Sequence, residues 1–259
     1  EAAKIHDRGN ILIYRKIRKG DLEEGFRQAD VIVEKNFTTQ TVEHAYMEPE
    51  AALAFWDGEM LVVHCCSQGT HYHRQEIARM VNFPVSRVRI IQATTGGGFG
   101  GKIDLSLQHL VALGAFVTGR PVKMVWTREE SFRTSTKRHA FTLNYRVGAT
   151  RQGRLTAAYA EIIGNTGAYA SFGPAVITRS ATMALGPYDC PNVHVDAYGI
   201  YTNTQISGAM RGFGAPQMSP CHEPIMDEIG RKCGLSPVEI RRINILKPGS
   251  STVTQQILT

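Results

Sequence analysis

Long hydrophobic runs are missing from this chain, and so are Cys-x-x-Cys pairs and any basic patch interleaved with aromatic residues. Without an apolar stretch approaching about 20 residues, no segment is expected to span a membrane. Glu1-Ala2-Ala3-Lys4 offers no apolar signal core. The lack of Cys-x-x-Cys spacing argues against an iron–sulfur cluster or structural zinc held within this chain. There are five cysteines, an odd number, and the adjacent Cys65 and Cys66 cannot form an ordinary disulfide. That usage points to a reducing, cytoplasmic setting. Cys221-His222 reads as a pair of helix residues rather than a metal site. Lysine and arginine are scattered, so a nucleic-acid partner is not expected.

The 259 residues, 42% hydrophobic and 20% charged, suffice for one large folded domain or two smaller ones. A net charge of +6 suits an anionic ligand, although many proteins are this basic for no specific reason. The chain begins without Met and stops in a polar stretch, which suggests a piece of a longer polypeptide.

Two glycine turns carry the most information. Gly96-Gly97-Gly98-Phe99-Gly100-Gly101-Lys102 frees the backbone for positive φ and for close approach to another surface. Its N–H groups could converge on an anion, and a helix expected over 104–118 would aim its positive end at the same spot. Gly208-Ala209-Met210-Arg211-Gly212-Phe213-Gly214 repeats the device with a cation and an aromatic ring. Such turns also serve simply to let elements pack closely. Gly96 to Lys102 fits GxxxxGK, but Ile103 stands where a phosphate-binding loop needs Ser or Thr for Mg²⁺. GxGxxG can be read at Gly96, Gly98 and Gly101, yet no acidic ribose partner follows at the expected distance.

The remaining signals place these turns. Residues 51–55 and 60–64 read as a hairpin around Trp56-Asp57-Gly58-Glu59. A helix is expected over 70–81 with Thr70 as N-cap, then a strand over 88–93. A strand over 122–126 precedes a second hairpin, 141–147 with 155–163. A glycine- and alanine-rich loop over 164–174 and a strand over 193–201 lead to the second turn. A helix over 216–233 closes at Gly234, and Ser236-Pro237-Val238-Glu239 is a capping box with Pro at the first helical position. Hairpins and helices in mixed order predict an α+β fold of two related subdomains. The expected boundaries are 1–39 as a linker, 40–140 and 141–247 as the subdomains, and 248–259 as a tail.

The motifs His44-Ala45-Tyr46-Met47-Glu48-Pro49, Ser67-Gln68-Gly69-Thr70, Gly96 to Lys102, Thr118-Gly119-Arg120-Pro121-Val122, Thr127-Arg128-Glu129-Glu130 and Ala209 to Gln217 occur in this order. Together they resemble the molybdenum-binding subunit of the molybdenum hydroxylases, the family of xanthine dehydrogenase, aldehyde oxidase and nicotinate dehydrogenase. The resemblance implies a molybdopterin-held molybdenum that hydroxylates an sp² carbon with water-derived oxygen. Electrons would leave through 2Fe-2S clusters and FAD on other domains or subunits. It implies that Gln68 hydrogen-bonds an oxygen of the metal centre without ligating the metal. It places Gly97, Gly98, Phe99 and Gly100 against the cofactor and gives Arg211 and Gly212 the turn that holds it. Phe213 would pack on a flat substrate, and Arg179 would orient it, since it precedes Arg211 by the interval at which purine-oxidising relatives place a substrate-orienting arginine.

Departures limit the resemblance. Xanthine dehydrogenases place glutamate directly after GGGFGGK; here that residue is Ile103. With Arg179 present, the pocket matches neither the full purine pair nor an apolar aldehyde pocket. A bacterial N-heterocycle hydroxylase with the cytosine dinucleotide cofactor is expected, acting on a purine such as xanthine or on a nicotinate-like acid. An aldehyde oxidoreductase, a nucleotide-binding module and a catalytically silent scaffold are the alternatives. The family's general base, a glutamate in a glycine-rich turn, matches nothing after Gly249. The chain is therefore expected to hold about half a cofactor site and to be inactive without a C-terminal molybdenum-binding half. The two glycine turns are expected to line one pocket.

Overall fold

The computed structural model describes every residue except Glu1 and Arg8, which fall in the expected linker and lie outside the described residues. In chain order, the strand β1 (Ile11–Lys19), the helix α1 (Leu22–Arg27) and β2 (Val31–Thr38) come first. Next are β3 (Ala51–Asp57), β4 (Met60–Cys65), α2 (Thr70–Met80), β5 (Val88–Gln92), α3 (Gln108–Thr118), β6 (Val122–Val125) and α4 (Arg128–Thr134). The chain continues through β7 (Phe141–Ala149), β8 (Leu155–Gly167), α5 (Gly173–Thr182), β9 (Asn192–Tyr201), α6 (Ala215–Cys233) and α7 (Pro237–Asn244). No helix among the described residues is long and apolar enough to cross a membrane.

These elements form an α+β structure of two units. The first comprises 1–41, 139–207 and 212–259; the second comprises 42–138 and 208–211. The first unit carries a five-stranded sheet in the order β1-β9-β8-β7-β2. Only β8 and β9 run parallel, and α5 makes the crossover that a parallel pair requires. In β7, Phe141, Leu143, Tyr145 and Val147 turn inward while Thr142 and Arg146 face water, the two-residue period of a half-buried strand. Met218, Cys221, Ile225 and Ile229 give α6 its apolar stripe in the same core. Gly234 caps α6 in the left-handed conformation. Ser236 and Glu239 form the expected reciprocal capping box, with Pro237 in the first turn of α7.

The second unit carries a four-stranded sheet in the order β5-β4-β3-β6, with β4 and β5 parallel and α2 as crossover. Leu61, Ile77, Leu107, Val111 and Ala115 fill its core. Trp56, Phe83 and Phe116 pack edge-on and tilted at its margin.

Several expectations change. The expected linker, 1–39, carries two strands of the first unit: β1 and β2 are the two edges of the five-stranded sheet, paired antiparallel with β9 and β7. The expected tail, 248–259, is packed against the first unit: Val253 is buried in its core and Ser251 bridges Ile257. The helix expected from residue 104 begins at Gln108. The Gln108 carboxamide accepts from both the N–H and the hydroxyl of Ser106, which holds a turn where helix was expected. The N-cap of α2 is Gly69, with no side-chain cap from Thr70. Finally, the loop expected over 164–174 ends in helix α5, entered with Pro174 in its first turn.

Candidate functional site

Ligands of sheets with parallel strands gather at the carboxyl ends of those strands. In the second unit the chain leaves β4 through Ser67-Gln68-Gly69 and leaves β5 through the first glycine turn. Several N–H groups of that turn are taken up by the protein itself. Gly96 N–H donates to Glu48 Oε2 at 2.7 Å, and Gly100 and Lys102 N–H donate to Gln68 Oε1 at 2.9 and 3.3 Å. Lys102 Nζ is fully buried, 2.7 Å from Glu48 Oε2 and 4.6 Å from the Tyr46 ring centroid. A phosphate-binding lysine must reach a ligand; this one is held by a carboxylate and a π face. With α3 starting beyond the turn, the expected helix dipole at this spot is absent as well.

The turn is glycine-rich because protein packs against it. A Cβ on Gly98 would lie 2.4 Å from Gln68 Oε1, and one on Gly96 would lie 2.7 Å from Glu48 Cβ. The motif from His44 to Glu50 supplies the surrounding wall. Its two glutamates and the preceding Glu43 all have partners: Glu43 with Lys137, Glu48 with Lys102, and Glu50 with the Tyr46 hydroxyl. Burial lowers the pKa of His44, so its ring is neutral and Nε2–H donates to the Ala209 carbonyl at 2.8 Å.

Gln68 is oriented by this arrangement. Backbone N–H groups can be met only by its carbonyl oxygen, so Oε1 faces the turn and Nε2 faces away. Nε2 has no acceptor among the described residues, and the side chain is exposed. The backbone is clamped too. Gln68 N–H donates to Lys102 O at 2.9 Å. Buried His73 bridges the same two segments: Nε2–H donates to Ile103 O at 2.8 Å, and Nδ1 lies 3.1 Å from Ser67 Oγ. Desolvation lowers the pKa of His73, which favours the neutral ring this bridge requires.

Phe99 lies in the left-handed region at φ 50° and is 47% exposed, an uncommon backbone for a bulky residue. Its carbonyl accepts from Arg211 N–H at 2.8 Å. Gly100, at φ 106°, would put a Cβ 2.6 Å from the Ala209 carbonyl. Arg138 Nη2 donates to Arg211 O at 2.9 Å. The Arg211 guanidinium is exposed and has no partner among the described residues. The second unit thus gathers Gln68, Gly97, Gly98, Phe99, Gly100 and Arg211.

Arg179, Gly212 and Phe213 belong to the first unit. Phe213 has φ 54°, between Gly212 at 87° and Gly214 at 102°. Its ring meets Phe172 edge-on with centroids 6.3 Å apart. A Cβ on Gly214 would lie 2.5 Å from Ser180 Oγ and 2.6 Å from Val176 O, so this glycine seats the start of α6 on α5. Arg179 is exposed on α5 and lines a shallow depression with Phe213 and Arg15. Sequence reasoning passed over Phe172, Arg15, His73 and the Glu48–Lys102 pair. Only the last had a visible cue, a lysine ending the glycine run. No group of three or more His, Cys, Asp or Glu side chains is placed to hold a metal among the described residues. The thiol of Cys65 is buried, with a pKa pushed up to about 12, as expected of an inert structural cysteine.

With this geometry in hand, comparison with known proteins defines the class: residues 5–245 match the molybdopterin cofactor-binding domain, and the chain belongs to that family. It is 48% identical over its whole length to the nicotinate dehydrogenase large molybdopterin subunit of Eubacterium barkeri, of which it spans 61%. It is 38% identical, over 95% of its length, to a probable xanthine dehydrogenase subunit of Bacillus subtilis, of which it spans 33%. Among solved structures, 99% of the chain superposes on the aldehyde oxidoreductase of Desulfovibrio gigas with a TM-score of 0.95 and 31% identity, spanning 29% of that chain.

Proposed function

We propose that this chain is the cofactor-binding part of a molybdenum hydroxylase that acts on a planar N-heterocycle, a purine or a nicotinate-like acid. The observation that carries the reading is Gln68. Its carbonyl is locked onto the glycine turn, and its two Nε2 hydrogens are left as donors on the exposed side of Gln68. Such a group fits the oxygen-rich edge of a bound metal centre without ligating it. When bound, molybdopterin, here in its cytosine dinucleotide form, supplies the oxygen-transfer and redox chemistry.

The residues of the chain have separable tasks. Gly97, Gly98, Phe99 and Gly100 form the wall against the cofactor, and Gly98 admits no side chain there. Arg211 brings an unpaired guanidinium to an anionic group, and Gly212 begins the turn that follows it. Phe213, backed by Phe172, offers a ring to a flat substrate. Arg179 forks onto a substrate carbonyl or carboxylate and stabilises negative charge that develops on the ring. Glu43, Glu48 and Glu50 are already engaged, so the general base is supplied from residues outside this chain. The remaining molybdenum-binding half, 2Fe-2S clusters and FAD would be partners in a cytoplasmic enzyme, and this chain alone would not turn over substrate.

The test uses the assembled enzyme. Gln68→Ala is expected to lower kcat about 10- to 100-fold with molybdenum content retained. Full turnover in a fully loaded variant would instead indicate a silent scaffold. Likeness to an aldehyde oxidoreductase supports a second reading, an aldehyde substrate. Arg179→Gln separates the two, since it should impair heterocycle turnover and spare aldehydes. A nucleotide-binding module is disfavoured by Lys102, whose ammonium is buried against Glu48.

A further inference from the structure

Gly208 to Arg211 belong to the second unit, and hydrogen bonds tie this stretch at both ends and in the middle. Two of them join backbones: Gly208 N–H donates to Lys137 O and Arg211 N–H to Phe99 O, each at 2.8 Å. Two more come from side chains. His44 Nε2–H donates to the Ala209 carbonyl at 2.8 Å, and Arg138 Nη2 donates to the Arg211 carbonyl at 2.9 Å. Gly208 and Ala209 are buried, while the Arg211 side chain emerges into solvent.

His44 is itself firmly seated. Its side chain is fully buried. A Cβ on Gly101 would lie 3.0 Å from Nδ1, so that glycine makes room for the ring. The His44 backbone N–H donates to Glu43 Oε1 at 3.0 Å. The other oxygen of Glu43 holds Nζ of Lys137 at 2.6 Å, and Lys137 is the residue whose carbonyl meets Gly208. A few positions on, Glu48 takes the Gly96 N–H and the Lys102 ammonium. One short segment, Glu43 to Glu48, therefore reaches both the first glycine turn and the stretch that bears Arg211.

We infer that this segment is a brace that positions Arg211, and that His44 is the positioning residue within it. His44 acts through the Ala209 carbonyl, two residues before the guanidinium, and Arg138 holds the same stretch at its far end. A cation on a fixed backbone gives up less conformational freedom when it meets its anion. The inference rests on the proposed reading, in which Arg211 serves an anionic group of the cofactor.

The experiment is hydrogen–deuterium exchange on the assembled enzyme, read in peptides covering 208–211 and, as a control, β3 and β4. Molybdenum retained through gel filtration is measured in parallel. His44→Gln keeps an N–H donor and should leave exchange at 208–211 within about threefold of the wild type. His44→Leu strips a buried carbonyl of its donor and should speed exchange there about 10-fold or more, with β3 and β4 changed less than about twofold. Arg138→Leu removes the other side-chain tie and should give the same local pattern. Equal exchange in His44→Gln and His44→Leu, faster exchange spread evenly over both regions, or no change at 208–211 in either leucine variant overturns the inference. Retention then tests the role of Arg211 separately. Faster molybdenum loss in the loosened variants, matched by Arg211→Gln, supports both. Loosening with molybdenum fully retained in all of them leaves the brace in place and removes Arg211 from cofactor binding.

Discussion

The two units are variations on one plan. In the second, β3 and β4 form a hairpin, α2 crosses to parallel β5, and β6 closes the sheet beside β3. In the first, β7 and β8 form the hairpin, α5 crosses to parallel β9, and β2 takes the place beside β7, with β1 added outside. Each unit follows its parallel pair with a Gly-Phe-Gly turn of the same backbone shape. Phe99 and Gly100 have φ 50° and 106°; Phe213 and Gly214 have 54° and 102°. The uses differ. The first turn is filled from beneath by Glu48, Gln68 and Lys102, whereas the second runs directly into α6 and is seated on α5. One backbone device can therefore hold a rigid wall or launch a helix, depending on which side chains reach it.

The largest expected effect tests whether the two turns are equally constrained. Gly100→Ala and Gly214→Ala each combine an unfavourable φ with a clash under 3.0 Å, and each should cost about 3 kcal/mol or more. Gly119→Ala has a positive φ but open space around it, and should cost only about 1 kcal/mol. Thermal denaturation of all three checks the contrast. Equal small losses at Gly100 and Gly119 would show that the first turn yields.

Lys102→Met probes what only the first turn possesses. It leaves Glu48 with the Gly96 N–H but no cation. Because Glu48 is partly exposed, the loss should be about 2 kcal/mol, below the range for a fully buried pair. Partial recovery in Lys102→Met/Glu48→Gln would tie the loss to the unpaired charge.

The smallest effect is in pH. His44 and His73 have pKa values lowered by burial, so the unfolded chain binds protons that the folded chain refuses. Their contribution is complete above the unfolded value of about 6.5 and is lost as pH falls below it, by at most about 1.4 kcal/mol per pH unit for each ring. His222, in the first unit, behaves the same way. Unfolding measured from pH 7 to 5.5 should show a falling midpoint, and His73→Gln should flatten that slope. An unchanged slope would remove His73 from the titrating set.

Much of the local structure was legible. Both hairpins, the helix stop at Gly234 and the Ser236–Glu239 box follow from short-range rules, because each depends on residues within a few positions of one another. The long-range pairings were not. Nothing near Tyr14 announces that β1 pairs with β9, about 180 residues away. Nothing around Gly100 shows that its N–H meets a glutamine 32 positions earlier. The late start of α3 was hidden for a related reason, since the Gln108 side chain competes with the backbone for the hydrogen bonds of Ser106.

The amino-acid sequence by itself determined the family, through the order of its motifs, and many of the positions at which the backbone could adopt positive φ, because only glycine does so without steric cost; that Phe99 and Phe213 adopt it too was not legible. The tertiary structure decided what those glycines are for. It packed Glu48, Gln68 and Lys102 against one side of a loop that reads as an anion cradle, and it aimed one end of the Gln68 amide outward. Those outcomes depend on which distant side chains reach a backbone N–H or share a surface, and that is settled only when the sheets assemble.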